Sequence, residues 1–210
     1  MIITSKSMEE YIFEFVFVYA MRDAVMRGAF AGEKKWLENV YDAKNIVKQY
    51  IDKILSGTFT SKESHDNDFL ETAKKVCNCI NNSPNKPKDC KGTFTFGNAQ
   101  KLINMTVKRF YLVYYIDKSY RDKFRFCHCP MDDILLKWVW ENYCSEENVP
   151  KIERNAALGR RNEFLDSWGK EGFSTSPTKL PDRYKKFQAT IKKWGDNRFY
   201  IPIEMDYCVW

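Results

Sequence analysis

The chain has 210 residues, 34 Lys and Arg against 28 Asp and Glu, and a formal net charge of +6; 44% of it is hydrophobic and 16% aromatic. That hydrophobic content excludes a disordered chain, and nine Gly with seven Pro exclude collagen-like and low-complexity sequence. The length is enough to bury a substantial core, and an aromatic-rich, modestly basic chain fits either a packed core under a solvated basic surface or a grip on nucleic acid by stacking and phosphate contacts.

In chain order, Thr4 to Ser7 followed by Glu9 and Glu10 predicts a helix start, with the helix running to about Gly28. The Phe13, Phe15, Phe17 alternation also permits a strand there. A second helical pattern runs from Glu33 to Leu55 and stops at Gly57, with Trp36, Leu37, Val40, Ile46, Val47, Tyr50, Ile51 and Leu55 near a 3.6 period. Thr58 to Asn67 reads as a polar loop that places His65 at the surface, and Asp68 to Ile80 as a third helix. Asn81 to Gly97, with Pro84, Pro87, Gly92 and Gly97, reads as a long hairpin-like loop.

Gly97 and Asn98 are suitable entry residues for the next helix. On it Ile103, Thr106, Val107, Phe110 and Tyr114 share one face; Lys101, Asn104, Met105, Lys108 and Leu112 share the other. A turn region, Asp117 to Lys123, follows. Pro130 delays the next helix, Ile134 to Tyr143, and sets Asp132 or Asp133 at its N-terminus. Further helices are expected at Arg161–Trp168 and Pro181–Trp194. The fold class is mostly α with few or no strands. It is expected as a single helical domain over 1–210, in one lobe or in two with a cleft between, and residues 68–116 form a helix-hairpin-helix-like unit.

No signal-peptide pattern opens the sequence, and the longest apolar stretch, Tyr11 to Met21, is broken by Glu14 and far short of a membrane span. The seven cysteines, Cys77, Cys79, Cys90, Cys127, Cys129, Cys144 and Cys208, are odd in number. A chain of this length needs no disulfide staples, so a reduced, cytoplasmic protein is expected. Cys77, Cys79, Cys90, Cys127, His128 and Cys129 offer ligands to zinc, but the C-x-C spacing is not that of a zinc knuckle. Free buried thiols, no metal and no cofactor are the expectation. Phosphate-binding glycine loops and the serine nucleophile elbow are both absent.

The remaining signals concern a basic loop and one lysine. Lys86, Lys88 and Lys91 precede the helix entry at Gly97, an arrangement suited to holding phosphates as well as to simple solvation. Lys101, read as lying in the first turn of its helix, opposes the macrodipole, which favours the neutral amine that forms Schiff bases. Asp132 opens a later helix about thirty residues on, a position for which N-capping alone is sufficient reason.

The order of helix, glycine-bearing hairpin, helix with an early lysine, and Asp-opened helix resembles the helix-hairpin-helix DNA glycosylase superfamily, closest to its archaeal 8-oxoguanine branch. In that branch a lysine opens a helix shaped like K-T-I-V-F-A-V-K-M and a Pro-x-Asp opens the next catalytic helix. Lys101-Leu-Ile-Asn-Met-Thr-Val-Lys108 and Pro130-Met-Asp132 match, over roughly residues 70 to 145; the usual L-P-G-x-G hairpin is absent. The resemblance implies a glycosylase with AP lyase activity, in which Lys101 attacks the sugar and Asp132 assists. It implies DNA contacts from Lys86, Lys88, Lys91, Gly97 and Lys108. Met105, Trp36, Trp210 and His128 are base-pocket candidates, with core packing the ordinary alternative for the first three. The implied partner is duplex DNA with a flipped modified base, bound by a nucleoid-associated monomer without membrane contact. Two rival expectations are a non-catalytic helical nucleic-acid-binding or protein-interaction domain and a small zinc protein.

Overall fold

In the computed structural model, which describes residues 7–25, 40–88, 90, 92–142, 151–176 and 178–209, the chain is helical and no strand occurs among the described residues. Helix α1 spans Met8–Val25. Ser7 Oγ accepts the Glu10 N–H at 3.2 Å, and the Glu10 carboxylate accepts the Ser7 N–H at 2.7 Å, a reciprocal cap. Phe13, Val16, Phe17, Ala20, Met21 and Ala24 are buried while Phe15 is exposed. The helical period therefore wins over the phenylalanine alternation.

Helix α2 spans Tyr41–Leu55; the predicted turns before it lie outside the described residues. It ends at Gly57, whose φ of 72° lets the Gly57 N–H reach Ile54 O at 2.9 Å and the Thr58 N–H reach Lys53 O at 3.0 Å. Helix α3 spans Lys62–Asn81, capped by Ser61 Oγ on the Ser64 N–H. It starts six residues before the predicted Asp68, so His65 lies on a helix and is fully buried, not on a surface loop. A serine cap followed by polar residues hid this first turn.

Helix α4, Phe96–Tyr114, is the central element. Thr95, not Gly97, caps it: Thr95 Oγ1 accepts the Asn98 N–H at 3.2 Å and Asn98 Oδ1 accepts the Thr95 N–H at 3.1 Å. α1 packs along α4, and α2 and α3 pack in turn beside it. Residues 96 to 104 are all buried, so the first half of α4 is covered on every side.

A short helix α5, Lys118–Arg121, and a 3₁₀ turn, Asp122–Phe124, follow. A turn at Arg125 and Phe126 and then a segment without regular structure, residues 127–132, lead to helix α6, Asp133–Asn142. Helices α7, Lys151–Leu158, and α8, Arg161–Phe164, lead to a 3₁₀ turn at Trp168–Lys170. The helix predicted for Arg161–Trp168 is thus formed only over Arg161–Phe164, and Trp168 opens a separate 3₁₀ turn. Helix α9, Asp182–Asp196, agrees closely with its prediction, and a last 3₁₀ turn, Pro202–Glu204, runs into α10, Met205–Val209.

One continuous hydrophobic core joins these elements, from Phe13 on α1 to Met205 on α10. Arg121 clamps Glu204 with two hydrogen bonds of 2.8 and 2.7 Å, and the Tyr111 hydroxyl donates to the same carboxylate, which ties the C-terminal turn to α4. No helix among the described residues is long and apolar enough to cross a membrane.

The described cysteines are free. Cys77, Cys127 and Cys129 are buried, as expected of free core thiols, whereas Cys79 and Cys90 are only half-buried and Cys208 is exposed. Burial pushes the Cys77 thiol up to about 12 and raises those of Cys127 and Cys129 as well. Because the thiolate is the reactive form, iodoacetamide at pH 8 should label Cys208 in the native protein. Labelling of Cys77, Cys127 and Cys129 should require denaturant. Peptide mapping by mass spectrometry checks this, and rapid native labelling of Cys127 or Cys129 would contradict the packing described.

Candidate active site

Two glutamine side chains place Asp132. Gln100, on α4, donates to Met131 O at 2.8 Å and accepts the Met131 N–H at 3.0 Å. Gln188, on α9, grips Cys129 in the same way, accepting its N–H at 3.0 Å and donating to its carbonyl at 2.6 Å. Each amide mimics a paired strand and satisfies a buried backbone. Pro130 lies between the two clasps and keeps the segment out of the helix.

The chain then turns into α6 at Asp132. Its Oδ1 accepts the Leu135 N–H at 2.9 Å, and its backbone carbonyl accepts the Leu136 N–H at 2.8 Å. The carboxylate therefore sits at the positive end of α6. Its other oxygen, Oδ2, accepts a hydrogen bond from Lys101 Nζ at 2.6 Å. The two side chains are only 9% and 11% exposed. Lys101 occupies the second turn of α4, one turn deeper than expected, so the opposing dipole at the helix start is weaker there. The indole of Trp168 lies beside it, with its ring centroid 5.6 Å from Nζ.

A second lysine on the same side of α4 has a different fate. Lys108 is ion-paired with Asp206 of α10, and its Nζ lies 4.5 Å from the centre of the Tyr207 ring. Burial raises the Asp206 carboxyl above its ordinary range, against the pull of Lys108. Lys108 is thus engaged inside the protein and is not a free cation for DNA phosphate.

Gly97 is likewise turned inward. Its N–H donates to Glu171 O at 2.9 Å, and a Cβ built on it would lie 1.7 Å from Trp168 O. The start of α4 is sealed by residues 168–171, so its amides do not face a phosphate. Among the loop lysines, Lys88 is exposed, while Lys86 Nζ donates to Gly92 O at 2.7 Å. Met105 is half-buried at the edge of the core. Lys91, Trp36 and Trp210 lie outside the described residues.

His128 is not a pocket wall. It is 2% exposed, its Nε2 lies 2.9 Å from Asp66 Oδ1, and its Nδ1 lies 3.0 Å from the Tyr184 hydroxyl. Asn104 Nδ2 donates to that hydroxyl at 2.8 Å and to Gln100 Oε1 at 3.2 Å. A buried polar chain therefore runs from Gln100, beside Lys101, through Asn104, Tyr184 and His128 to Asp66. Burial lowers His128 to about 4, so its imidazole is neutral at pH 7, and burial lowers His65 as well. Burial opposes ionisation of Asp66, but His128, His65 and Lys62 together outweigh it and hold the carboxyl below its usual range.

The sequence offered no sign of Gln100, Asn104, Tyr184, Gln188 or Asp206 as parts of this region. The one available signal was the run of polar residues at 100, 101, 104 and 108 along one side of a helix, which reads equally as a solvated face. The chain matches no family model, no curated protein and no solved structure.

Proposed function

We propose that the protein is a DNA glycosylase with AP lyase activity that excises a modified base, such as 8-oxoguanine, through a Schiff base on Lys101 assisted by Asp132. The observation that carries the reading is the pair itself: an amine and a carboxylate 31 residues apart in sequence, 2.6 Å apart in space and nine-tenths withdrawn from water. A lysine nucleophile needs a proton acceptor within hydrogen-bond reach, and Asp132 Oδ2 is one.

In the proposed reaction Asp132 takes a proton from the Lys101 ammonium. The freed lone pair on Nζ bonds to C1′ of the sugar. The glycosidic bond breaks, its electrons leave on the base, and the base takes up the proton that Asp132 removed from Lys101. Asp132, ionised again, carries a proton from the alkylated Nζ to O4′ as the C1′–O4′ bond breaks, and ring opening leaves an iminium between Nζ and C1′. Loss of a C2′ proton then expels the 3′ phosphate and cleaves the strand. The target base has to leave the duplex stack to bring its sugar to Lys101. Exposed lysines such as Lys88 supply the sequence-independent phosphate contacts. Met105, one turn beyond Lys101, is the remaining described candidate for the base pocket.

A non-catalytic nucleic-acid-binding domain is the rival, and the Lys108–Asp206 pair favours it, because there another lysine of α4 meets a buried carboxylate in a contact that joins α4 to α10. One experiment decides between them. Duplexes carrying 8-oxoguanine and other modified bases are incubated with the protein and borohydride. A covalent protein–DNA adduct is the expected result. Salt-sensitive binding by the folded protein, with neither adduct nor base release on any lesion, sinks the glycosylase reading.

A further inference from the structure

The buried polar chain ends in a cluster that base excision does not use. His65 and Asp66 are consecutive on α3, and His128 arrives from the segment before α6. His128 Nε2 lies 2.9 Å from Asp66 Oδ1, and His65 Nδ1 lies 3.5 Å from the same oxygen. One donor atom from each of the three residues lies within 4.8 Å of the others. In a tetrahedral site with bonds of about 2.0 Å, ligand atoms stand about 3.3 Å apart. The two separations to the carboxylate oxygen bracket that value.

The outward nitrogens of both rings are already held. The Tyr50 hydroxyl lies 2.7 Å from His65 Nε2, and the Tyr184 hydroxyl lies 3.0 Å from His128 Nδ1. Metal-binding histidines are oriented in this way, one nitrogen fixed by an outer partner and the other turned to the ion. His65 Nδ1 is the decisive atom. It is buried and faces Asp66 Oδ1 across 3.5 Å without a well-formed hydrogen bond. A buried polar atom left without a partner is destabilising. An ion between the imidazoles and Asp66 Oδ1 supplies the missing partner.

We propose that His65, Asp66 and His128 bind a first-row divalent transition-metal ion, with zinc the ion this ligand set suits best. Two imidazoles and one carboxylate exclude magnesium and calcium, which take oxygen ligands. The Lys62 ammonium pairs with Asp66 Oδ2 and leaves Oδ1 turned to the rings. Both histidines are sealed in the core, whereas Asp66 lines a pocket of 410 Å³ with Lys62, Leu70, Lys179, Leu180 and Lys185. That pocket is the route by which an ion or a fourth ligand reaches the site. The ion braces α3 against the segment that carries Asp132 four residues after His128.

The test uses the full chain, dialysed against chelator and then titrated with Zn²⁺, Co²⁺ and Mg²⁺. Expected are one Zn²⁺ per chain, a higher Tm with zinc, no effect of Mg²⁺, and visible cobalt d–d bands without a thiolate charge-transfer band. His65→Gln and His128→Gln should each weaken zinc binding by at least about 100-fold, more than loss of an outer partner costs. Cys127→Ser should leave it unchanged. Failure of the folded wild type to bind Zn²⁺ or Co²⁺ stoichiometrically overturns the proposal, as does a thiolate band or binding that survives both histidine variants. Should the variants not fold, the wild-type cobalt spectrum decides alone. None of these readouts depends on base excision, so the two proposals stand or fall separately.

Discussion

Lys101→Met is expected to destabilise the protein by about 3–5 kcal/mol and to abolish adduct formation. Removing one partner of a buried ion pair leaves the other as an uncompensated charge in a poorly hydrated place. Asp132 keeps the Leu135 N–H and the positive end of α6, which argues for the lower part of that range. Asp132→Leu strands the ammonium instead and also removes a helix cap, so a loss of similar size is expected. The double variant Lys101→Met/Asp132→Leu should recover much of the combined loss, because an apolar pair needs no mutual compensation. Urea unfolding of the four proteins gives the coupling energy.

Chemistry separates from stability in the milder variants. Lys101→Gln retains a donor for Asp132 but has no nucleophilic amine, so it should fold and form no adduct. Asp132→Asn should keep the cap and slow trapping by about 10²- to 10⁴-fold, the usual worth of a positioned proton acceptor. A trapping rate equal to wild type in Asp132→Asn would show that this aspartate is only a cap.

Gly97→Ala should be among the most damaging substitutions of a small residue. The added methyl would lie 1.7 Å from Trp168 O, 2.8 Å from its carbonyl carbon and 3.3 Å from Glu171 Cβ. Two of those three atoms are backbone, which has no rotamer by which to give way. Retreat of the segment breaks the Gly97 N–H bond to Glu171 O and the bond from Thr95 Oγ1 to Gly169 O. Alanine gains about 1 kcal/mol in helix propensity, and overpacking against backbone costs about 3 kcal/mol or more, so the clash wins. Gly172→Ala is the control, since a methyl group there would meet no atom within 4 Å and little change is expected. Thermal unfolding distinguishes the two. The indole of Trp168 should also shift from Lys101 in Gly97→Ala, a change visible in tryptophan fluorescence.

How far the sequence reached depended on the range of the interactions. Local signals did well: the Ser7–Glu10 box opened α1, Gly57 closed α2, and Pro130 kept the chain out of a helix up to Asp132. The buried face of α4 also followed from its period. Its second face did not. Lys101, Asn104 and Lys108 look solvated in sequence because polar residues opposite an apolar stripe usually are. Here α9 supplies Tyr184 to Asn104, and α10 supplies Asp206 to Lys108, from 80 and 98 residues further along the chain. No periodicity reports partners at that distance. His65 was misplaced for the same reason, since its cover is Tyr50 of α2 and the ring of His128.

The seal on Gly97 also orders the assembly of the molecule in time. Residues 168–171 lie more than seventy positions beyond the helix entrance they close, so α4 forms its own hydrogen bonds long before its first turn is covered. Contacts of such sequence separation carry a high loop-closure entropy and tend to form late. During synthesis from the N-terminus, the helix bearing Lys101 leaves the ribosome with its entrance open. Trp168 comes to rest beside Lys101 only when the last fifth of the chain begins to dock.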